Sequence, residues 1–458
     1  MPRLPLALAA VLACTACSGP VSSPEASMPG TPAATASGDT FRAAPAARPA
    51  DAPQNVVLFI ADGFGPTSAT MGASAAEALG RDWTLGTGLI GASETSPSEG
   101  RVTDSAAGAT AYSCGIKTYN GAIGVGPDKA PCRTLLEAAE AKGLSTGLVA
   151  TSRITHATPA SFAAHVEQRS QEAEIASQMI TSGVDVMFGG GLGFFTGRED
   201  GRDLLAELRA SGATVATDGA GFDALSSTPA VAIMAPSHLA YEVDRDETDQ
   251  PSLAEMTTRA MDLLGEAAGA RGFFLMVEAS RIDHAGHGND PVGHLHDILA
   301  YDEALAAALD WASENGNTLI VATADHETGG MSLGRDGIYA WDPQPLLDAN
   351  ASMERIAEQI AGGADPVAAV RDGLGFDSLE DGVAEAIRGA ASSGDRAALS
   401  TLVRDLASEP AGIGWTTGGH TAVDVGLYAW GPGMERFRGR LTNDEVGRRL
   451  FAALGLTP

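Results

Sequence analysis

Seven short apolar segments, separated by stretches of helical pattern, constrain the fold of this chain more than any other feature. NVVLFIAD at residues 55–62 is the first, and GFFLMVEAS and NTLIVATADH occur later in the chain. Their residues are apolar without alternation, which is typical of strands buried on both faces of a sheet. Joined by helices, such strands predict an α/β fold with a central, mostly parallel sheet and helices on both faces. The segments are residues 55–62, 145–151, 184–191, 231–236, 272–280, 317–326 and 425–433.

The first residues have the pattern of an export signal. Arg3 is followed by an apolar run that is too short to span a membrane as a mature helix, and small residues then lead to CTACSG. This end resembles the cleavage site of a bacterial lipoprotein signal, in which Cys17 would carry the lipid, although Cys14 stands where leucine is preferred. We predict a signal peptide of the lipoprotein type at residues 1–17, with an ordinary signal cut nearby as the alternative.

A tether and one folded domain are predicted after the signal. Residues 18–53 are mostly Pro, Ala, Ser, Thr and Gly, with few large apolar side chains, so we expect them to be disordered. Residues 54–458 then form one domain, in which about 341–410 are polar and helical in pattern and form an insertion. Such an insertion either covers a site or joins subunits, so a homodimer is one expectation. We expect a periplasmic or cell-envelope protein, or an extracellular one, attached to a membrane only through the lipid.

Carboxylate and imidazole side chains lie near the ends of the predicted strands, where ligands bind in open α/β sheets. Seven such groups at one edge would repel each other and would cost free energy if they were unpaired. Divalent cations remove this cost. Carboxylates with imidazoles and no thiolate suit zinc, whereas oxygen ligands alone suit magnesium. The seven residues are Asp62, Glu278, Asp283, His287, Asp325, His326 and His420.

Each of these residue types has a commoner structural role when it is taken alone. An aspartate after a strand is often a helix cap, and a lone histidine is more often structural than functional. We therefore assign His165, His238, His294 and His296 to surface or helix positions. The joint pattern across four strand-end segments is what favours a metal site.

The segment RVTDSAAGATAYSCG, residues 101–115, begins a predicted helix with a serine among small residues. The small residues after Ser105 let this helix begin close to the metal edge, and a helix amino terminus favours an anion. A hydroxyl beside zinc also loses its proton more easily than a free one. Asp104 is expected to cap the helix. These features predict a nucleophile beside metal ions and a phosphate group.

Together these segments resemble the alkaline phosphatase family. TDSAAGATA is similar to the family's nucleophile motif, NVVLFIADGFG to its first strand, and HATPASFAAHVEQR to a further segment of the family. The likeness follows the family's order from about residue 55 to residue 433. It implies a hydrolase of small phosphate monoesters that forms a phosphoserine on Ser105 and grips phosphate with Arg169.

The resemblance also implies two zinc ions and one magnesium ion. His156 and His284 differ from members of the family that have Asp and Lys at these places and agree with members that have histidine at both. His284 is expected to bind substrate or to orient waters, and His156 is either a ligand of the third site or an outer-shell donor. The implied ligands are Asp283, His287 and His420 for one zinc, Asp62, Asp325, His326 and the Ser105 oxygen for the second, and Asp62, Thr158 and Glu278 for magnesium.

Three other functions were weighed against phosphomonoester hydrolysis. A sulfatase would need Cys or Ser in a Cys/Ser-x-Pro-x-Arg context, which Ser105 lacks. Phosphodiesterases of the wider superfamily usually have a threonine nucleophile. Outside enzymes, the alternative is a surface protein that binds metal or phosphate without turnover. A formal net charge of −29 argues against a general basic surface, so no nucleic-acid binding is expected.

The domain after the signal contains two cysteines, Cys114 and Cys132. An oxidising compartment outside the cytoplasm permits a disulfide between them. Their spacing in the sequence does not show whether they come close enough to bond.

Overall fold

A ten-stranded sheet forms the centre of the computed structural model, which describes residues 53–458. With the strands numbered along the chain, their order in the sheet is β14-β2-β13-β8-β1-β7-β3-β4-β6-β5. All neighbours are parallel except β13, which runs antiparallel to β2 and β8. Two small antiparallel ribbons pair β9 with β12 and β10 with β11. The strands are β1 Asn55–Ala61, β2 Leu89–Glu94, β3 Ser145–Arg153, β4 Val186–Gly190, β5 Thr214–Ala216, β6 Ala230–Ile233, β7 Phe273–Ala279, β8 Thr318–Thr323, β9 Glu327–Thr328, β10 Ser332–Leu333, β11 Ile413–Gly414, β12 His420–Thr421, β13 Val425–Trp430 and β14 Gly439–Thr442.

The predicted fold class is confirmed, and each of the seven predicted segments overlaps a strand of the sheet. The remaining three strands, β2, β5 and β14, were not predicted from the sequence. They lie at or next to the two edges of the sheet and have the sequences LIGASE, TVA and GRLT. Strands at an edge need less apolar surface, so they lack the continuous apolar pattern that identifies central strands.

The central strand β1 shows why those patterns are continuous. Val57 and Phe59 point into an apolar core on one face of the sheet, while Val56 and Leu58 point into a second core on the other face. All four side chains are fully buried. A strand covered by helices on both faces has no solvent-facing side, so alternation disappears.

Sixteen α-helices surround the sheet in the described residues. The longest, α10, packs on α8 and α9 beside the Phe59 face. The helices are α1 Pro66–Ala78, α2 Ser105–Cys114, α3 Leu135–Ala141, α4 Ala157–Ala163, α5 Glu172–Met179, α6 Leu204–Ala210, α7 Gly219–Asp223, α8 Leu253–Ala268, α9 Arg281–Gly288, α10 Pro291–Asn315, α11 Gln344–Leu347, α12 Met353–Ala361, α13 Pro366–Gly373, α14 Asp381–Ser393, α15 Arg396–Ala411 and α16 Asn443–Ala453.

The stretch expected to be a helical insertion contains five helices, α11 to α15. Leu346, Ile356 and Val403 from these helices are buried in the same apolar core as Phe59. The five helices therefore share the core of the main domain instead of forming one of their own.

Cys114 and Cys132 form a disulfide, with their Cα atoms 5.9 Å apart. Cys114 is the last residue of α2, so the bond ties the end of this helix to the loop that follows. The predicted signal at 1–17, with Cys14 and Cys17, and the tether at 18–53, apart from Pro53, lie outside the described residues. Between residues 53 and 458, we find no helix that is long and apolar enough to cross a membrane.

Candidate metal centre and active site

The carboxyl ends of three adjacent central strands bring the predicted acidic ligands together. Asp62 directly follows β1, Asp325 follows β8, and Glu278 lies near the end of β7. The strand order places β1 between β8 and β7, so these three carboxylates converge at one edge. Gly63 turns the chain there with φ +76°, and a Cβ on it would lie 2.7 Å from the Cα of Asp283. Only glycine allows so close an approach between this turn and α9.

Asp283, His287 and His420 form the first cluster, with one potential ligand atom of each within 4.8 Å of the others. His287 Nδ1 donates to the carbonyl of Gly418 at 2.7 Å, and His420 Nδ1 donates to the carbonyl of Thr103 at 2.8 Å. In a neutral ring with its proton on Nδ1, Nε2 keeps a lone pair. The two Nε2 atoms lie 3.1 Å apart. Lone pairs this close repel each other unless a cation lies between them, so this cluster is arranged for a metal ion.

Asp62, Asp325 and His326 form the second cluster, and all three residues are fully buried. His326 Nε2 lies 3.5 Å from Asp62 Oδ1 and 3.3 Å from Asp325 Oδ2. The hydroxyl of Ser105 lies 3.3 Å from the same nitrogen. The predicted nucleophile therefore faces the second cluster directly.

Thr328 connects the first two clusters and was not identified from the sequence. Its hydroxyl donates to Asp283 Oδ1 at 2.5 Å, which uses its only proton. The same oxygen therefore accepts from His326 Nδ1 at 3.3 Å. This hydrogen bond leaves the lone pair of His326 on Nε2, which is the nitrogen that faces the carboxylates. Thr328 thus sets the tautomer of one predicted ligand and the orientation of another.

Asp62, His156 and Glu278 form the third cluster, so Asp62 belongs to two clusters. His156 is the N-cap residue of α4, and Thr158 lies in the first turn of this helix, fully buried. The predicted third-site residues are therefore brought to the same edge by two strands and one helix amino terminus.

In the described residues, twelve buried side-chain nitrogen and oxygen atoms lack a hydrogen-bond partner. Six of these twelve atoms belong to predicted ligands. Buried polar atoms are normally paired, so a group of unpaired atoms indicates that they hold something else. The six are Asp62 Oδ1, Asp62 Oδ2, Thr158 Oγ1, Glu278 Oε1, Asp325 Oδ2 and His156 Nδ1.

Charge repulsion supports the same conclusion. Burial and the neighbouring carboxylates raise the pKa of Asp62 well above its usual range. Burial, together with nearby acidic groups, raises the pKa of Asp325 to about 8, and burial raises the pKa of Glu278 to about 7. Burial also lowers the pKa of His156 and His326 well below the usual range, so the imidazoles are neutral and add no compensating charge. Divalent cations fit these residues: the two carboxylate–imidazole clusters suit zinc, and the oxygen-rich third cluster suits magnesium.

Ser105 is the first residue of α2, whose ten residues are all buried. Asp104 caps this helix as predicted, accepting from the backbone N–H of Ala107 at 3.0 Å. Gly108, one turn on, faces Asp325, where an added Cβ would lie 3.1 Å from the Asp325 Cβ. Small residues in this helix therefore do let it approach the carboxylates.

Arg169 contacts Asp104, the residue before the predicted nucleophile, and 28% of its side chain is exposed. Its Nη1 donates to Asp104 Oδ2 at 3.1 Å, and its Nη2 donates to His156 Nε2 at 3.0 Å. Asp104 thus both caps α2 and holds the guanidinium. A guanidinium has five N–H groups, so Arg169 keeps free donors for an anion in front of Ser105.

His238 lies next to the predicted site, and its assignment to a surface or helix position is wrong. It is partly buried in a bend after β6, with its ring centroid 4.3 Å from that of His284 and 5.7 Å from that of His156. Its position after the carboxyl end of a parallel strand is the signal that could have identified it. The other three histidines of this group have structural contacts: His294 with Ser68, His296 with the carbonyl of Leu346, and His165 with Glu137.

Comparison with known proteins gives a consistent result along the whole described chain. The family model for alkaline phosphatase matches residues 53–456. Alkaline phosphatase 3 of Bacillus subtilis is 41% identical over 376 residues, covering 80% of this chain and 80% of the relative. The repressible alkaline phosphatase of Saccharomyces cerevisiae is 37% identical over 457 residues, covering 87% of this chain and 80% of the relative.

Solved structures agree with these relatives. A cold-active alkaline phosphatase from the psychrophile Shewanella sp. superposes with a TM-score of 0.80 at 32% identity, covering 87% of this chain and 99% of that structure. A variant of the alkaline phosphatase from the Antarctic bacterium TAB5, with aspartate in place of a histidine and magnesium bound in its M3 site, has a TM-score of 0.66 at 31% identity. The superposition covers 89% of this chain and 99% of that structure.

Proposed function

Because this chain belongs to the alkaline phosphatase family, a family of metal-dependent phosphomonoester hydrolases, we propose that Ser105 is its nucleophile. The observation that supports this most directly is the position of the Ser105 hydroxyl. It lies at the amino terminus of α2, 3.3 Å from His326 Nε2 in the second cluster. A helix amino terminus and adjacent cations both favour an oxyanion at this position.

We further propose that the three clusters hold two zinc ions and one magnesium ion. The first two clusters would each bind zinc, and Asp62, Thr158 and Glu278 would bind magnesium. When bound, these cations supply a lowered hydroxyl pKa and positive charge near the entering and leaving oxygens of the reaction. The test is hydrolysis of a chromogenic phosphomonoester before and after chelation. Activity should return only when both zinc and magnesium are restored, and recovery with magnesium alone would contradict the assignment.

In this proposal, Ser105, Arg169 and Asp104 have separate roles in phosphoryl transfer. The Ser105 hydroxyl gives its proton to solvent as its oxygen attacks phosphorus in line, the bond from phosphorus to the ester oxygen breaks, and the alcohol leaves with a proton from solvent. Arg169 donates to two phosphate oxygens and stays oriented by Asp104 Oδ2. Water then attacks the phosphoserine and releases inorganic phosphate, which restores the Ser105 hydroxyl.

For His156, the contacts favour the outer-shell role over direct ligation. Arg169 Nη2 donates to His156 Nε2, because a guanidinium cannot accept a hydrogen bond. The proton of the neutral ring is then on Nδ1, which is buried and has no hydrogen-bond partner. An N–H cannot bind a cation, but it can donate to a water bound at the third site.

Replacing His156 by aspartate should raise the affinity for magnesium by about tenfold, because it adds an anionic oxygen beside Asp62 and Glu278. The measurement is a magnesium titration of metal-depleted enzyme, with total metal content determined in parallel. His156→Asn, similar in size and uncharged, is the matched control and should not raise the affinity. If His156→Asp leaves both the metal content and the magnesium response unchanged, His156 has no role at this site.

We also propose export, with attachment of the mature protein through a lipid on Cys17. The support is the CTACSG end of the predicted signal and the composition of residues 18–53. Cys17→Ser should move the enzyme from the membrane fraction to the soluble envelope fraction without changing kcat. Cys14→Ser is the matched control and should stay with the membrane. Wild-type enzyme that is already fully soluble would exclude the lipid and leave an ordinary signal.

A further inference from the structure

One buried arginine connects the helical insertion to the predicted substrate site. Arg281 is the first residue of α9, and only 4% of its side chain is exposed. Its Nη2 donates to Glu354 Oε1 in α12 at 3.0 Å. The guanidinium carbon lies 3.7 Å from the ring centre of Tyr241, which holds the plane of the group by a cation–π contact. Its other terminal nitrogen, Nη1, lies 3.2 Å from His284 Nδ1.

The contact between Arg281 and His284 has only one direction. An arginine side chain has donors and no acceptor, so Nδ1 of His284 must accept. A doubly protonated imidazole would place an N–H against the guanidinium, so the contact requires a neutral ring with its proton on Nε2. Arg281 thus determines which nitrogen of His284 is the donor.

The position of His284 makes this choice matter for anion binding. Its ring lies edge-on to that of His156, with centroids 5.4 Å apart. His156 in turn accepts from Arg169, the predicted phosphate clamp. The Nε2–H of His284 is therefore a donor one ring away from the guanidinium that is predicted to bind phosphate.

Glu354 is held in place although its own side chain is half exposed, 54%. It belongs to a run of four consecutive residues at the start of α12, each of which has a polar contact with a different residue outside the insertion. Ser352 donates to Asp244 through its hydroxyl at 2.6 Å, and the backbone N–H of Met353 donates to Asp290 at 2.7 Å. The pairs are Ser352–Asp244, Met353–Asp290, Glu354–Arg281 and Arg355–Glu247.

We propose that Arg281, held by Glu354 of the insertion, is a positioning residue that fixes the orientation and the Nε2–H tautomer of His284 for binding the phosphate group of the substrate. This inference rests on the proposed role of the site in phosphomonoester hydrolysis. It gives the insertion a function in anion binding at the site. Without the guanidinium, His284 Nδ1 loses its donor, and the ring can carry its proton on either nitrogen.

The test uses inorganic phosphate as the probe, because it reports binding separately from chemistry. In the metal-loaded enzyme, Arg281→Met keeps the length and bulk of the side chain but removes its donors. We expect the inhibition constant for phosphate and KM to rise about tenfold, which corresponds to the loss of one hydrogen bond to a charged group, with a smaller change in kcat. Arg281→Lys restores one donor and should recover part of the loss. Glu354→Gln should change the inhibition constant in the same direction and by less.

A double-mutant cycle distinguishes positioning from a general structural effect. In a His284→Ala background, Arg281→Met should have no further effect on phosphate binding, because the residue through which it acts is gone. Arg355→Met is the matched control: it removes the neighbouring contact with Glu247 without touching Arg281, and phosphate binding should stay unchanged.

Two results would overturn the inference: an unchanged inhibition constant in Arg281→Met, or an equal loss with and without His284. Metal content and Tm are measured for every variant. If Arg281→Met does not fold, phosphate binding is compared between Glu354→Gln and Arg355→Met. Equal phosphate binding in these two variants would refute the inference. Failure of the Ser105 assignment would appear separately, as retained turnover in Ser105→Ala, and would leave these binding measurements unaffected.

Discussion

In the Ser105→Ala variant, we expect kcat for phosphate monoesters to fall by at least about 10³-fold while the bound cations remain. In the proposed mechanism the Ser105 hydroxyl forms the covalent bond to phosphorus, and this hydroxyl lies 3.3 Å from His326 Nε2. Because the carboxylate and imidazole ligands are unchanged, metal binding should persist. Any residual turnover would come from direct attack of water on the phosphate ester, with bound cations supplying positive charge near the reacting oxygens.

Steady-state kinetics and metal analysis of the same samples measure this effect. Acid quenching with labelled phosphate should trap a phosphoserine in the wild type and not in the variant. Ser113→Ala is the matched control, since Ser113 is buried in the same helix and its hydroxyl bonds to the carbonyl of Thr110. Turnover near the wild-type level in Ser105→Ala would disprove the proposed mechanism.

Asp62→Asn should remove two cations from the enzyme, because Asp62 belongs to both the second and the third clusters. Both of its carboxylate oxygens are buried without a hydrogen-bond partner, so both would be available to hold cations. Asparagine has the same shape, but it is uncharged and offers only one oxygen. Activity should fall by at least about 10³-fold, since the chemistry depends on both neighbouring cations.

Metal content per chain after dialysis is the deciding measurement for Asp62→Asn. Asp283→Asn is the control, because Asp283 belongs to the first cluster only and its loss should remove one cation. Equal metal loss in the two variants would contradict the shared role of Asp62.

Asp62→Asn should have opposite effects on Tm in the metal-free and the metal-loaded protein. Burial and neighbouring carboxylates raise the pKa of Asp62 in the fold above its ordinary value of 3.8. A raised pKa in the folded state means that the metal-free protein loses stability as the pH rises above 3.8, the ordinary value. At neutral pH, Asp62→Asn should therefore raise the Tm of the metal-free protein. With cations present it should lower Tm, because ligands that bind only the native state stabilise it. Thermal unfolding of both forms checks the two signs.

Residues that follow apolar strands were accessible to prediction because sheet geometry forces them together. Asp62 and Asp325 each come just after a continuous apolar run, and parallel strands end at a common edge. His238 follows the shorter strand β6 as a lone histidine, with no carboxylate or second histidine beside it in the sequence to indicate a site. Arg281 was missed for another reason: its partners come from helix α12 and from Tyr241, at positions that no local pattern connects.

The sequence by itself determined the type of fold and the chemistry available to it. Continuous apolar runs require a sheet buried on both faces, and residues near their ends include the carboxylates and imidazoles of a metal site. A separate segment of small residues begins with the serine of the predicted hydrolase. These are local properties, set by composition and spacing along the chain.

Only the tertiary structure decided how those groups are combined. It placed Asp62 in two clusters, set the tautomers of His287 and His420 through the carbonyls of Gly418 and Thr103, and joined Cys114 to Cys132. His420 and Thr103 are 317 residues apart in the chain. Contacts over such separations depend on how helices and loops pack against the sheet to within a few tenths of an ångström, and residue type and spacing do not determine that packing.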